Sequence, residues 1–182
     1  MIKRERDFVM AKAEKTRMGD GGESRKRTPH TEKPCVLVSA CLLGAPCRYD
    51  GAAKPSPAVQ ALAARYTLLP VCPECAGGLP TPRPPAEQMG ERVCNRAGQD
   101  VTAAYLRGAE YALRVAQEHR VICAILKARS PSCGHGQVYD GTFSGTLRAG
   151  DGVTAALLLS HGIAVYSEET LKEIPSDPKG KP

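Results

Sequence analysis

Thiols, carboxylates and small hydroxyl side chains gather in three short stretches of this 182-residue chain. The first is ACLLGAPCRYDG, carrying Cys41 and Cys47; the second is CPECAGGLPTPRPPAEQ, carrying Cys72, Glu74 and Cys75; the third is KARSPSCGHG, carrying Ser130, Ser132 and Cys133. Each is rich in Gly, Pro or Ser and follows an apolar run, so each sets its cysteine on a loop, clear of bulky core neighbours. A thiol so placed can take a metal, meet a substrate or pair with a second thiol. Three thiolates converging from separate segments suit a soft metal, or an iron–sulfur cluster with one position left open. Cys72 and Cys75 also have the spacing of a redox pair and of one zinc knuckle. The redox pair needs a helix start beneath it to lower a thiol's pKa, and AGGLPTPRPP cannot be a helix. The knuckle needs a second Cys-x-x-Cys, which the chain lacks.

The neighbours of these thiols narrow the chemistry. Glu74 follows a proline in a rigid loop, where a carboxylate can act as acid or base, although a solvated surface glutamate has the same local sequence. Arg48, Asp50, Arg83 and Arg129 can hold an anion or a polar heterocycle, or can pair with one another. His135, two residues after Cys133, reads as a solvent-exposed loop histidine. Cys35 and Cys123 lie inside apolar runs and read as core, where a free cysteine packs as a small hydrophobe. Cys94, in RVCNRAGQD, falls in an expected hairpin and takes no role. The glycines of DGTFSGTLRAGDG permit tight turns without forming a phosphate-binding fingerprint.

These loops need a frame to bring them together. CVLVSA at 35–40, TLLPV at 67–71, VICAIL at 121–126 and IAVYS at 163–167 are short apolar runs bounded by turn residues, the pattern of buried strands. Helices are expected between them. SPAVQALAARY at 56–66 has Ser at the cap and Pro in the first turn. The segment from Asp100 to His119 opens on a capping Asp and places Leu106, Ala109, Leu113 and Ala116 on one face. DGVTAALLLSHG at 151–162 ends on Gly. Strand and helix in alternation predict a single α/β domain at 35–170, with a Rossmann-like, mostly parallel sheet covered by helices on both faces. The three thiol loops then fall at the carboxyl ends of the strands, where such sheets build their sites.

Composition excludes other classes. Eight cysteines in 182 residues are too few for a disulfide-stapled secreted scaffold, and no run of eighteen apolar residues suggests a membrane span. No signal-peptide pattern opens the chain, so a soluble cytoplasmic protein is expected, where loop thiols more often serve metals or catalysis than disulfides. Of the net charge of +6, residues 1–34 carry +4, which reads as a basic, disordered arm. That arm is a solvated leader or, through SRKR, a grip on nucleic-acid phosphate. Residues 171–182 read as a flexible tail.

Taken in order, LVSACLLGAPCRYDG, PVCPECAGGLPTPRPPAEQ, GQDVTAAYLRGAE, AILKARSPSCGHGQVYDGTFSG and GDGVTAALLLSHGI resemble the TudS-type thiouracil desulfidase family from about Cys35 to Glu168. The resemblance implies an enzyme with a [4Fe-4S] cluster held by three cysteines, its fourth iron open to the sulfur of a thiolated pyrimidine. Cys41, Cys47 and Cys133 are the ligands it implies, with Cys72 able to displace one of them. Cys75 departs from the family pattern, where an aliphatic residue is expected after Cys-Pro-Glu. Glu74 and Ser130 take proton transfer and substrate orientation, with Ser132 as the other serine candidate. The implied reaction is non-redox removal of sulfur from 2-thiouracil or a thiolated nucleoside by a monomer or homodimer, without a membrane partner. Two rivals stand beside it: a thiolated-tRNA enzyme using the basic arm, and a structural zinc or thiol-redox module.

Overall fold

The computed structural model describes residues 33–174. The expected basic arm, up to residue 32, and the tail from 175 onward lie outside the described residues. In chain order the elements are β1 (Cys35–Ser39), α1 (Pro57–Ala61), β2 (Thr67–Val71), α2 (Pro73–Ala76), β3 (Ala86–Met89), β4 (Arg92–Asn95), α3 (Thr102–Glu118), β5 (Cys123–Leu126), β6 (Gln137–Tyr139), β7 (Leu147–Ala149), α4 (Val153–Ser160) and β8 (Val165–Ser167).

Four strands form one parallel sheet in the order β2-β1-β5-β8. β1 and β5 are central and are buried almost throughout, which is why their sequences are continuous apolar runs with no alternation. The two faces separate by parity. Val36, Val38 and Ile125 pack with Leu42, Val59 and Tyr66 on the α1 side. Leu37, Ala124 and Leu126 pack with Ala112, Ala116, Ala155 and Leu158 from α3 and α4 on the other. Helices therefore cover both faces, as the alternating pattern predicts. The antiparallel hairpins β3–β4 and β6–β7 stand apart from the sheet. Cys94 lies in the first, as expected, while the second was not read from the glycines of its turn. Beyond β8, residues 171–173 form a 3-10 turn, and Leu171 and Ile174 pack on the core, so the first part of the expected tail belongs to the domain.

Several local readings need correction. Ser56 caps α1, its hydroxyl accepting the Val59 N–H at 3.4 Å, but the helix tightens after Ala61 into a 3-10 turn. Asp100 accepts the Thr102 N–H at 2.9 Å from one residue outside the cap, which Val101 occupies. On α3 the buried face is Ala104, Tyr105, Gly108, Ala109, Ala112 and Ala116, and Leu106 stands 50% exposed. Small residues win the inward face because α2 and α4 approach the helix backbone closely. Cys35 is only partly buried, whereas Cys123 is core as expected.

The most consequential difference is α2. One helical turn begins at Pro73, with Cys72 at its cap, although the Cys-Pro-Glu-Cys stretch was expected to have no helix start beneath it. Proline suits the first helical position because the missing N–H is unneeded there, and the turn ends before the Gly-Pro-rich stretch that could not continue it. This turn lies directly on α3. A Cβ on Gly108 would sit 1.9 Å from the Pro73 carbonyl oxygen, and one on Gly77 would sit 2.0 Å from that of Ala104. Gly108→Ala is expected to destabilise the protein by about 1–3 kcal/mol through overpacking. Urea unfolding checks this, and an unchanged midpoint would show that α2 does not depend on the close contact.

Candidate active site

All three thiol loops leave the carboxyl edge of the sheet. After β1 the chain makes a 3-10 turn that buries Cys41, and Gly44, at φ 108°, ends it in a conformation suited to glycine. The loop then folds back: the Lys54 N–H reaches the Cys41 carbonyl at 3.0 Å, and the Ser56 N–H reaches that of Leu42 at 2.9 Å. This return brings Cys47 over the end of β2. Its carbonyl becomes a junction, accepting from Arg83 Nη2 at 3.0 Å and from the Cys72 and Cys75 thiols at 3.7 Å each.

The third loop is fastened to a helix. Four consecutive N–H groups at the start of α4, from Gly152 to Ala155, donate to carbonyls of Gly134, Pro131 and Ser132, at 2.7–3.3 Å. The unpaired donors of that helix end are thus satisfied by the loop carrying Cys133. Gly152 is needed for the approach, since a Cβ there would stand 2.5 Å from the Ser132 carbonyl. Ser130 Oγ accepts the N–H groups of Ser132 and Cys133, both at 3.1 Å, and closes the turn.

These loops enclose a cavity of about 890 Å³ whose wall includes Cys41, Cys47, Cys72, Cys133, Glu74 and Ser130. The Cys47 thiol lies near those of Cys41 and Cys72. Its pKa is pushed up to about 11, first by the Cys41 contact and then by burial, against an opposing contribution from Cys72. Cys72 is also raised, by its contact with Cys47 and by burial. Burial lifts Cys133 to about 12, although the neighbouring Ser39 hydroxyl works in the other direction. Thiolates packed so closely in a low dielectric hold their charge only against a cationic centre, which is what a metal cluster provides.

Among the described residues, no group of three or more His, Cys, Asp and Glu is arranged to hold a single metal ion. The zinc reading of Cys72 and Cys75 therefore gains no completing ligands there. Cys75 is not on the cavity wall; its thiol contacts Thr81 Oγ1 at 3.4 Å. Soft sulfur donors from several loops, spread around a roomy cavity, do fit an iron–sulfur cluster.

The candidate serines separate cleanly. Ser130 lines the cavity, whereas Ser132 is fully buried and pairs with Thr154 Oγ1 at 2.9 Å. Backbone direction in the loop turns Ser132 into the core, and it is not among the residues on the cavity wall. Glu74 forms an ion pair with Arg83, whose Nε and Nη2 both reach Oε2 at 2.8 Å. Burial, together with the charge and hydrogen bond of Glu74, raises the Tyr105 hydroxyl's pKa. The other expected charges also pair locally, Arg48 with Asp50 at 3.0 Å and Arg129 with Glu169 at 2.8 Å. His135 pairs with Asp151 at 2.7 Å, away from the cavity wall.

Residues that sequence reasoning missed complete the wall. Tyr105 arrives from α3, Lys127 and Glu168 pair across the ends of β5 and β8, and Phe143 and Arg96 come from the two hairpins. The Glu168 carboxylate also accepts the Ala128 N–H at 2.8 Å, which fixes the start of the third loop. A lysine immediately after a buried strand was the one local signal available for this pair.

This arrangement defines a cysteine-lined α/β protein with its site at the carboxyl edge of a parallel sheet. Residues 36–170 match the family model of 2-thiouracil desulfurase, and the chain belongs to that family. The uncharacterized protein YbbK of Bacillus subtilis (strain 168) is 42% identical over 149 residues, covering 76% of this chain and 99% of YbbK. A solved structure of the [4Fe-4S]-dependent thiouracil desulfidase TudS is 53% identical, with a TM-score of 0.74 over 78% of this chain and 95% of that one. No helix among the described residues is long and apolar enough to cross a membrane.

Both serines are expected to matter for stability, through different bonds. Ser132→Ala leaves the buried Thr154 hydroxyl without its partner and costs about 1–3 kcal/mol of stability. Ser130→Ala removes the acceptor of the Ser132 and Cys133 N–H groups and is expected to cost at least as much. Urea unfolding of both variants checks this, and an unchanged midpoint for Ser130→Ala would show that its hydroxyl does not hold the turn.

Proposed function

We propose that this chain removes sulfur from a thiolated pyrimidine base or nucleoside in the cytoplasm, converting 2-thiouracil and water to uracil and hydrogen sulfide, at a [4Fe-4S] cluster. The observation that carries this reading is the convergence of four thiols from three strand-end loops on one cavity that also holds the Glu74–Arg83 pair. Cys41, Cys47 and Cys133 hold the cluster, and Cys72 is the fourth thiol beside them. When bound, the cluster supplies a Lewis-acidic iron open to a soft thiocarbonyl sulfur.

The protein's own groups then do the following. Glu74 accepts a proton from the attacking water, and Arg83 fixes the carboxylate that receives it. Ser130 offers a hydroxyl at the cavity wall to orient the ring's polar edge. Tyr105, buried at the cavity wall, stands near enough to the Glu74 carboxylate for that charge to hold its hydroxyl protonated. The substrate carbon gains a bond to oxygen and loses its bond to sulfur, the sulfur leaves as hydrosulfide with the proton that balances it, and no electron is gained or lost.

Anaerobic loading with iron and sulfide, followed by an assay of hydrosulfide release from 2-thiouracil, tests this. The parent protein is expected to turn over, and Glu74→Gln to lose about 10²–10⁴-fold in kcat while keeping its iron. Iron content assigns the ligands: Cys41→Ala, Cys47→Ala and Cys133→Ala are expected to lose the cluster and Cys72→Ala to retain it. A protein that loads iron yet leaves 2-thiouracil intact would contradict the reading. Loss of iron on Cys72→Ala alone would overturn the ligand assignment and leave the activity standing.

A further inference from the structure

Phe143 is held in a left-handed backbone conformation, φ 57°, at the tip of the β6–β7 hairpin. A bulky aromatic residue seldom adopts this region, and it persists only where its surroundings enforce it. Here they do. Glu87 on β3 is buried, and its Oε2 accepts the N–H groups of both Gly141 and Phe143 at 3.0 Å. Asp140 Oδ1 takes the Thr142 N–H at 2.9 Å, and the hydroxyls of Thr142, Ser144 and Thr146 form a chain with 2.7 Å links. Gly141 lies so close to β3 that a Cβ would meet the Gln88 carbonyl at 2.7 Å. Arg96, just past β4, donates to the Phe143 carbonyl at 3.4 Å and places its guanidinium 5.5 Å from the ring centroid.

All this fastening serves one side chain. Phe143 and Arg96 both line the cavity that holds the thiols and Glu74, and the 140–146 hydrogen bonds would hold the turn equally well around a glycine at this φ. The chain therefore keeps a ring where local sterics disfavour one. A half-buried aromatic face, backed by a cation, is a stacking surface for a flat heterocycle. We infer that Phe143 is the stacking platform for the pyrimidine ring and a specificity-determining residue, with Glu87 and Arg96 as the positioning residues that hold it. The inference rests on the proposed desulfidase reading and adds to it how the substrate ring is selected.

The test uses cluster-loaded protein with two probes, planar 2-thiouracil and its puckered 5,6-dihydro form, and equilibrium dialysis with uracil as a readout independent of turnover. Phe143→Leu is expected to raise KM for 2-thiouracil and the uracil Kd about tenfold, with kcat nearly constant. The KM for the dihydro compound is expected to move far less, and Phe143→Tyr to restore the parent values. Phe143→Gly removes the ring while relieving the backbone, so it is expected to raise KM as Phe143→Leu does without lowering the unfolding midpoint. Glu87→Gln is expected to raise KM in the same direction, and combined with Phe143→Leu to add nothing further.

Unchanged KM in Phe143→Leu and Phe143→Gly, or an equal rise for both probes, would overturn the inference while leaving the desulfidase reading intact. A loaded parent that neither releases hydrosulfide nor binds uracil would overturn both.

Discussion

Sulfur atoms from separate loops can share one cavity only if the protein holds them there against their own repulsion and against the cost of burying charge. Much of the molecule serves that requirement. The Cys41 turn is closed by backbone bonds to the returning loop, and the Cys47 carbonyl ties the first thiol loop to the second through Arg83 and two thiols. The Cys133 loop is bound to the first turn of α4, and α2 presses onto α3 through two glycines. Apart from that of Arg83, each contact is between backbone groups or small side chains, which leave little room for adjustment. The neighbouring Cys41 thiol and burial push the Cys47 thiol up, and burial pushes up that of Cys133, the direction expected where free thiolates are disfavoured.

The Glu74–Arg83 ion pair sits beside the thiols on the same scaffold. Glu74 belongs to the turn capped by Cys72, so one short element carries both its carboxylate and that thiol. Arg83 contacts both Glu74 and the Cys47 carbonyl, and so couples the carboxylate to the first thiol loop. On the far side, Lys127 and Glu168 join β5 to β8 and anchor the chain leading to Ser130. The thiols, the Glu74–Arg83 pair and Ser130 thus reach one cavity from the ends of three strands of one sheet. This is the usual advantage of a parallel sheet whose loops gather at its carboxyl edge.

The sheet was legible in the sequence because burial on both faces leaves continuous apolar runs, and the thiol loops were legible because glycine, proline and serine punctuate them. Pairing partners were harder to read. Nothing local to Ser132 says that its hydroxyl turns to Thr154 and not to the cavity, since the distinction depends on where α4 packs. The small face of α3 was misjudged at Leu106, because hydrophobicity alone points to leucine while close backbone contact selects alanine and glycine. The helical turn at Pro73 was missed because one turn has no periodicity to detect. Phe143 escaped notice for a similar reason: its left-handed conformation is imposed by Glu87, more than fifty residues earlier in the chain.

The central claim is that the three thiol loops hold one four-iron cluster with a single iron open to substrate sulfur. Mössbauer spectroscopy of protein loaded anaerobically with iron-57, before and after addition of 2-thiouracil, tests it directly. The account predicts a spectrum of a [4Fe-4S] centre in which one iron of the four, and only one, changes its environment when the thiolated ring is added. A mononuclear spectrum, or a cluster whose four irons are all indifferent to 2-thiouracil, would contradict it.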